Sequence, residues 1–163
     1  MVEETQKQHP GVRVPPPLAA LAAVGLGCGL DLLWPAPLSL LGPALPWGLR
    51  LALGAGLLLA GFGLAFACFL RFRTADTAIE PWKPASALVA DGPYRLSRNP
   101  IYLGLMLCLA GVGVMANSLW ILAMLLPLWA FLRFAVIALE ERYLEARFGE
   151  GYRRYCGRVR RWL

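Results

Sequence analysis

Asp91-Gly92-Pro93-Tyr94-Arg95-Leu96-Ser97-Arg98-Asn99-Pro100-Ile101-Tyr102-Leu103-Gly104 is the stretch where a polar, turn-rich segment runs directly into an apolar one. Gly92-Pro93 forces a turn, and Asn99-Pro100 presets a first helical position, where the missing proline N–H costs nothing. The spacing predicts an apolar helix whose entry gathers Tyr94, Arg98, Asn99 and Tyr102 at one membrane-level rim.

Composition places that helix in a bilayer. Of 163 residues, 58% are hydrophobic and only 16% charged, and the mean hydropathy of +0.56 is too high for an ordinary soluble domain of this size. A net charge of +6 would suit nucleic acid, but the arginines flank apolar runs and fill a short tail. Membrane orientation accounts for them, so no nucleic-acid partner is expected. Cys28, Cys68, Cys108 and Cys156 are widely spaced, and the single histidine, His9, sits in a polar N-terminal tail. Neither a metal site nor a Ser/His/Asp or Cys/His catalytic set can be assembled from them.

Outward from the opening stretch, the chain divides into a polar tail (1–17), a transmembrane bundle (18–138) and a C-terminal helix and tail (139–163). The expected fold is all-α and polytopic, with about four transmembrane helices over 18–34, 47–70, 101–116 and 118–138. The first run, interrupted only by Asp31, is expected as a retained span rather than a cleaved signal, with Gly25, Gly27 and Gly29 suited to close helix contact. Gly25 and Gly29 can pack helices within one chain or between two, so oligomeric state stays open. The uncharged, Pro-rich 35–46 suits a short extracytoplasmic loop. The long polar connection 71–100, with five basic residues, is cytoplasmic by the positive-inside rule, and Trp82 and Tyr94 suit interfacial anchors. Pro127 is expected to kink the fourth span. Arg133, two turns before the cytoplasmic exit, either snorkels or faces a substrate.

Beyond residue 138 the chain is basic, so both ends are expected in the cytoplasm. Apolar and aromatic positions 139, 143, 144, 148, 152 and 155 recur at helical spacing, which predicts an amphipathic cytoplasmic helix. Glu140 and Glu141 stand at the mouth of the bundle and, as neighbours on a helix, point about 100° apart. One of them turned inward needs a cation or donors to meet it, and Arg98 or a cationic ligand would serve.

These residues carry a resemblance. Ser86-Ala87-Leu88-Val89, Gly92-Pro93-Tyr94, Arg98-Asn99-Pro100-Ile101-Tyr102-Leu103-Gly104, Glu140-Glu141, Phe148-Gly149, Tyr152 and Tyr155 resemble the C-terminal half of the isoprenylcysteine carboxyl methyltransferase family, a pattern shared by the related phospholipid N-methyltransferases. The resemblance implies an integral-membrane methyltransferase that uses S-adenosyl-L-methionine, with Ser86, Ala87, Leu88, Val89, Tyr94, Arg98, Asn99, Pro100, Ile101, Tyr102, Glu140 and Glu141 in the cofactor pocket. Gly61 and Gly63 resemble the Gly-x-Gly element of the phospholipid branch. Arg133 and Glu140 are the candidate catalytic residues. The carboxyl methyltransferases usually carry Arg-His-Pro where this chain has Arg98-Asn99-Pro100, and Asn-Pro occurs in the phospholipid-type branch.

Such a cofactor presents a carboxylate, an ammonium, a ribose and a sulfonium. Arg98 can meet the first, Glu140 the ribose or a positive group, and Tyr94 or Tyr102 an aromatic or cationic face. The expected partners are membrane lipids and a lipophilic small-molecule, lipid or prenylated substrate. A carboxylate, amine or thiol acceptor fits equally, and a non-enzymatic interaction bundle pinned by Arg/Glu pairs is the competing class.

Overall fold

The computed structural model describes residues 10–12, 14–37, 45–77 and 85–163. The expectations for most of the N-terminal tail, for 38–44 of the Pro-rich loop and for Trp82 lie outside these residues. Among the described residues all regular structure is helical: α1 (Pro16–Leu33), α2 (Trp47–Thr74), α3 (Pro100–Ala116), α4 (Leu119–Phe148) and α5 (Glu150–Arg158), with a 3-10 turn at Gly92–Arg95.

Proline sets two of the starts. Pro16 opens α1 and Pro100 opens α3, each at the position where no N–H is needed. α3 stops at Asn117, whose φ of 57° is left-handed, and Ser118 caps α4 by accepting from the Ile121 N–H at 3.0 Å.

α1, α2 and α4 are long and apolar enough to cross a membrane, whereas α3, at 17 residues, is a shorter apolar helix. Its rise of about 26 Å falls just under a hydrocarbon core of about 30 Å. α3 nonetheless runs antiparallel along α2 at very close range. A Cβ on Gly61 would stand 2.6 Å from the Gly104 carbonyl oxygen, and one on Gly111 2.7 Å from that of Gly54. Both glycine pairs are seven residues apart, so they lie on one stripe of each helix and bring the backbones together. In α1 the close contact belongs to Gly27 alone, against Ile121, while Gly25 and Gly29 have open space around them.

Two helix ends differ from expectation. α2 continues to Thr74 instead of ending near Leu70, which brings Arg71 and Arg73 into the last turn, where cations favour the carbonyl end of the dipole. α4 passes residue 138 without a break and ends only at Gly149, whose φ is 52°. Glu140 and Glu141 therefore ride on the same continuous helix as the membrane span. Pro127 interrupts that helix one turn upstream: it cannot donate to Ala123, and the α-helical ladder breaks at Met124. A π-helical turn follows over Leu132–Ile137, a feature often found beside functional sites.

Leu109, Ile121, Leu128, Leu132, Val136 and Ile137 form the core where α3 and α4 meet, joined by Ala20 and Ala23 of α1. Val12 and Trp162 also pack on this cluster. At the other end, Asp31 accepts from the Ser118 hydroxyl and from the Ala36 N–H at 3.4 Å. The Leu119 N–H donates to Ala36 O at 2.8 Å and Trp120 Nε1 to Trp34 O at 2.7 Å, closing that end.

Candidate functional site

The polar connection, the start of α3, the lower part of α4 and α5 enclose a cleft of about 850 Å³, its open mouth included. The local sequence explains each wall. Gly92, with φ of 56°, turns the chain so that Tyr94 points inward, where its ring meets Phe72 edge-on at 5.7 Å and its carbonyl accepts from the Tyr155 hydroxyl at 2.7 Å. Tyr152 and Tyr155, one turn apart, are the buried face of α5. The Ala85 N–H donates to the Tyr143 hydroxyl at 2.9 Å and ties the polar connection to α4. Burial pushes the hydroxyls of Tyr94, Tyr152 and Tyr155 well above the ordinary phenol range, so they stay neutral donors.

Two charged groupings stand in this cleft. On α4, Glu140 Oε1 accepts from the Tyr102 hydroxyl of α3 at 2.5 Å, and no cation pairs with this carboxylate among the described residues. Beside it, Glu141 receives Arg161 through two parallel bonds, Nε to Oε1 at 2.8 Å and Nη2 to Oε2 at 2.5 Å, and lies 3.2 Å from Arg98 Nη1. The Glu141 bonds raise the Arg161 guanidinium further into its charged range. Arg98 also directs Nη1 at Cys156 Sγ, 2.8 Å away, and its Nε is buried without a partner.

The residues singled out from sequence separate into two groups. Ala87, Leu88, Val89, Tyr94, Arg98, Asn99, Ile101, Tyr102, Glu140 and Glu141 are brought together around the cleft. Ser86 is exposed and binds Asp76 O and Thr77 Oγ1 instead. Pro100 is fully buried at the helix start. Gly61 lies in the α2–α3 contact, Gly63 faces open space, and Arg133 lies over the Phe134 ring at 5.4 Å. None of these five lines the cleft. Asn99 does not cap its helix; its amide donates to Arg161 O at 2.9 Å.

Sequence reasoning missed Phe72, Tyr143 and Leu144 as cleft residues, and Pro10 from the N-terminal segment. It also missed Arg161. The spacing of Tyr152 and Tyr155 marked a helix face but not what it covers, and a lone arginine in a basic tail carries no local signal.

Chemically the cleft is an apolar and aromatic slot lined by one cation, Arg98, and two carboxylates, Glu140 and Glu141, a combination suited to a small zwitterionic ligand with a flat ring. Among the described residues no group of three or more His, Cys, Asp or Glu could hold a metal.

The phospholipid methyltransferase family matches residues 49–151, which contain all but the first two residues of α2, the whole of α3 and α4, and most of the cleft. A 65-residue stretch is 40% identical to the Cobalt-zinc-cadmium resistance protein CzcN of Cupriavidus metallidurans, covering 40% of this chain and 30% of that protein. Another match, 44% identical over 64 residues, is to an uncharacterized protein of Haemophilus influenzae and covers 39% of this chain and 100% of that one. The chain thus spans less than a third of the length of the Cupriavidus protein. No solved structure matches it.

Proposed function

This chain belongs to the phospholipid methyltransferase family, and from that membership we propose that it is an integral-membrane methyltransferase that draws on S-adenosylmethionine and serves a lipophilic acceptor. The observation that carries the reading is that Arg98 and Glu140, a carboxylate with no cation partner among the described residues, both line one aromatic-walled cleft. An amino-acid zwitterion attached to a nucleoside is complementary to that pair.

In this reading Arg98 holds the cofactor's carboxylate, and Glu140, oriented by Tyr102, holds a positive group or the ribose. Tyr94, Ile101 and Leu88 supply apolar and aromatic faces for the ring. S-adenosylmethionine supplies the electrophilic methyl carbon, so the protein's own task is to align the acceptor and exclude water. The acceptor is a membrane lipid or a prenylated molecule, with a carboxylate, amine or thiol as its nucleophile. The Arg98-Asn99-Pro100 sequence favours the phospholipid-type branch.

The same reading makes α3 the fourth crossing. Its antiparallel run along α2, Pro10 in the cleft lining and Arg161 on Glu141 support an even number of spans with both ends at the cleft. The arginines around that end support a cytoplasmic placement.

Calorimetric titration of the purified protein in lipid nanodiscs with S-adenosylhomocysteine tests the reading. Saturable binding with one site per chain is expected, and no binding across several lipids and detergents overturns it. Incubating membranes with methyl-labelled cofactor and separating lipid, protein and small-molecule fractions then identifies the acceptor.

A further inference from the structure

The last residues of the chain leave the helix and form a strap along the 97–99 turn. Arg98 N–H donates to Arg160 O at 2.9 Å, Ser97 Oγ to Arg161 O at 3.3 Å and Asn99 Nδ2 to the same oxygen at 2.9 Å. Three bonds thus join the 97–99 turn to a segment more than 60 residues later, while Trp162 packs on the core beyond them. The strap reaches the cleft wall through the Arg161 fork on Glu141.

That fork changes the charge seen by a ligand. Arg98, Glu141 and Arg161 form a three-member group with one surplus positive charge, and their side chains are 16%, 18% and 30% exposed. Arg161 takes both oxygens of Glu141 in the stronger, bidentate geometry, whereas Arg98 approaches one oxygen at 3.2 Å. Without Arg161, Arg98 and Glu141 would form a closed, neutral pair.

We propose that Arg161 is a positioning residue: by saturating Glu141 it keeps Arg98 available to an anionic group of a ligand in the cleft. The inference rests on the reading above, in which that group is the cofactor's carboxylate. It assigns to the C-terminal strap a share in ligand recognition, through Arg98 and without contact to the ligand.

Two probes separate this role from general support of the fold. S-Adenosylhomocysteine carries the carboxylate, and 5′-methylthioadenosine shares the nucleoside but lacks the amino-acid group. Arg161→Gln is expected to weaken the first by roughly tenfold, the scale of one hydrogen bond to a charged group, and to leave the second unchanged. Arg161→Lys, which keeps the charge, retains part of the affinity. In the double variant Glu141→Gln/Arg161→Gln, Arg98 again has no competing carboxylate, and S-adenosylhomocysteine binding recovers.

Equal loss of both probes, no loss of either, or no recovery in the double variant would overturn the proposal. Should Arg161→Gln fail to fold, Arg161→Lys carries the test: weaker binding of S-adenosylhomocysteine with 5′-methylthioadenosine unchanged is expected, and equal loss of both probes, or no loss of either, refutes the inference. Failure of the wild type to bind either probe overturns the functional reading itself, and binding of the nucleoside with no added affinity from the carboxylate overturns only the role of Arg98 and Arg161.

Discussion

The two ends of the bundle solve the same problem in opposite ways. Each places an acidic side chain on a membrane helix. At the far end, Asp31 is answered by the Ser118 hydroxyl and the Ala36 N–H, and neighbouring backbone bonds close the corner. At the cleft end, Glu140 has one donor among the described residues, Tyr102, and lines the cleft. A carboxylate with a donor on each oxygen stabilises the fold, whereas one left with capacity to spare in a cavity is available to a ligand. The contrast separates a structural acid from a candidate functional one by their partners and surroundings, not by residue type.

Substitutions at the two ends should therefore separate binding from stability. The largest effect is expected at the cleft: Glu140→Ala lowers affinity for S-adenosylhomocysteine by about a hundredfold, the upper range for a charged hydrogen bond, while the melting temperature in detergent changes little. Equal affinity in mutant and wild type would break the comparison. Gly61→Leu is expected to cost about 2–3 kcal/mol of stability, because the Gly104 carbonyl, which is backbone, stands in the way together with the Cys108 side chain. Thermal melting measures it, and Gly63→Leu, on an open face, is the matched control. Asp31→Ala should cost about 1–2 kcal/mol by stranding the Ser118 hydroxyl, with affinity for the nucleoside intact. A loss of affinity there would show that the two ends are coupled.

Much of this site was legible because its residues lie in two short blocks with strong local signals. Pro100 marked a helix start, Gly92 a turn, and the adjacent Glu140 and Glu141 a mouth at which one carboxylate faces inward. Where the chain departs from those signals, the reasons are physical. The resemblance to a helical Gly-x-Gly element puts Gly61 and Gly63 in the pocket, but the two glycines face different sides of α2, and Gly61 is occupied by the approach to Gly104. Ser86 looked like a cleft residue by its place in the 86–89 block, yet its hydroxyl is drawn away by Asp76 O. The end of α2 was set four residues early because Arg71 and Arg73 interrupt the apolar run, although cations suit a final helical turn.

Local chemistry in the chain was sufficient to specify apolar helices, their proline starts and a polar rim, since each depends on residues a few positions apart. Which carboxylate is paired and which is left open depended on Arg161 reaching Glu141 across 20 positions and Tyr102 reaching Glu140 across 38. Those partnerships are contacts through space, and only the packed bundle decides them.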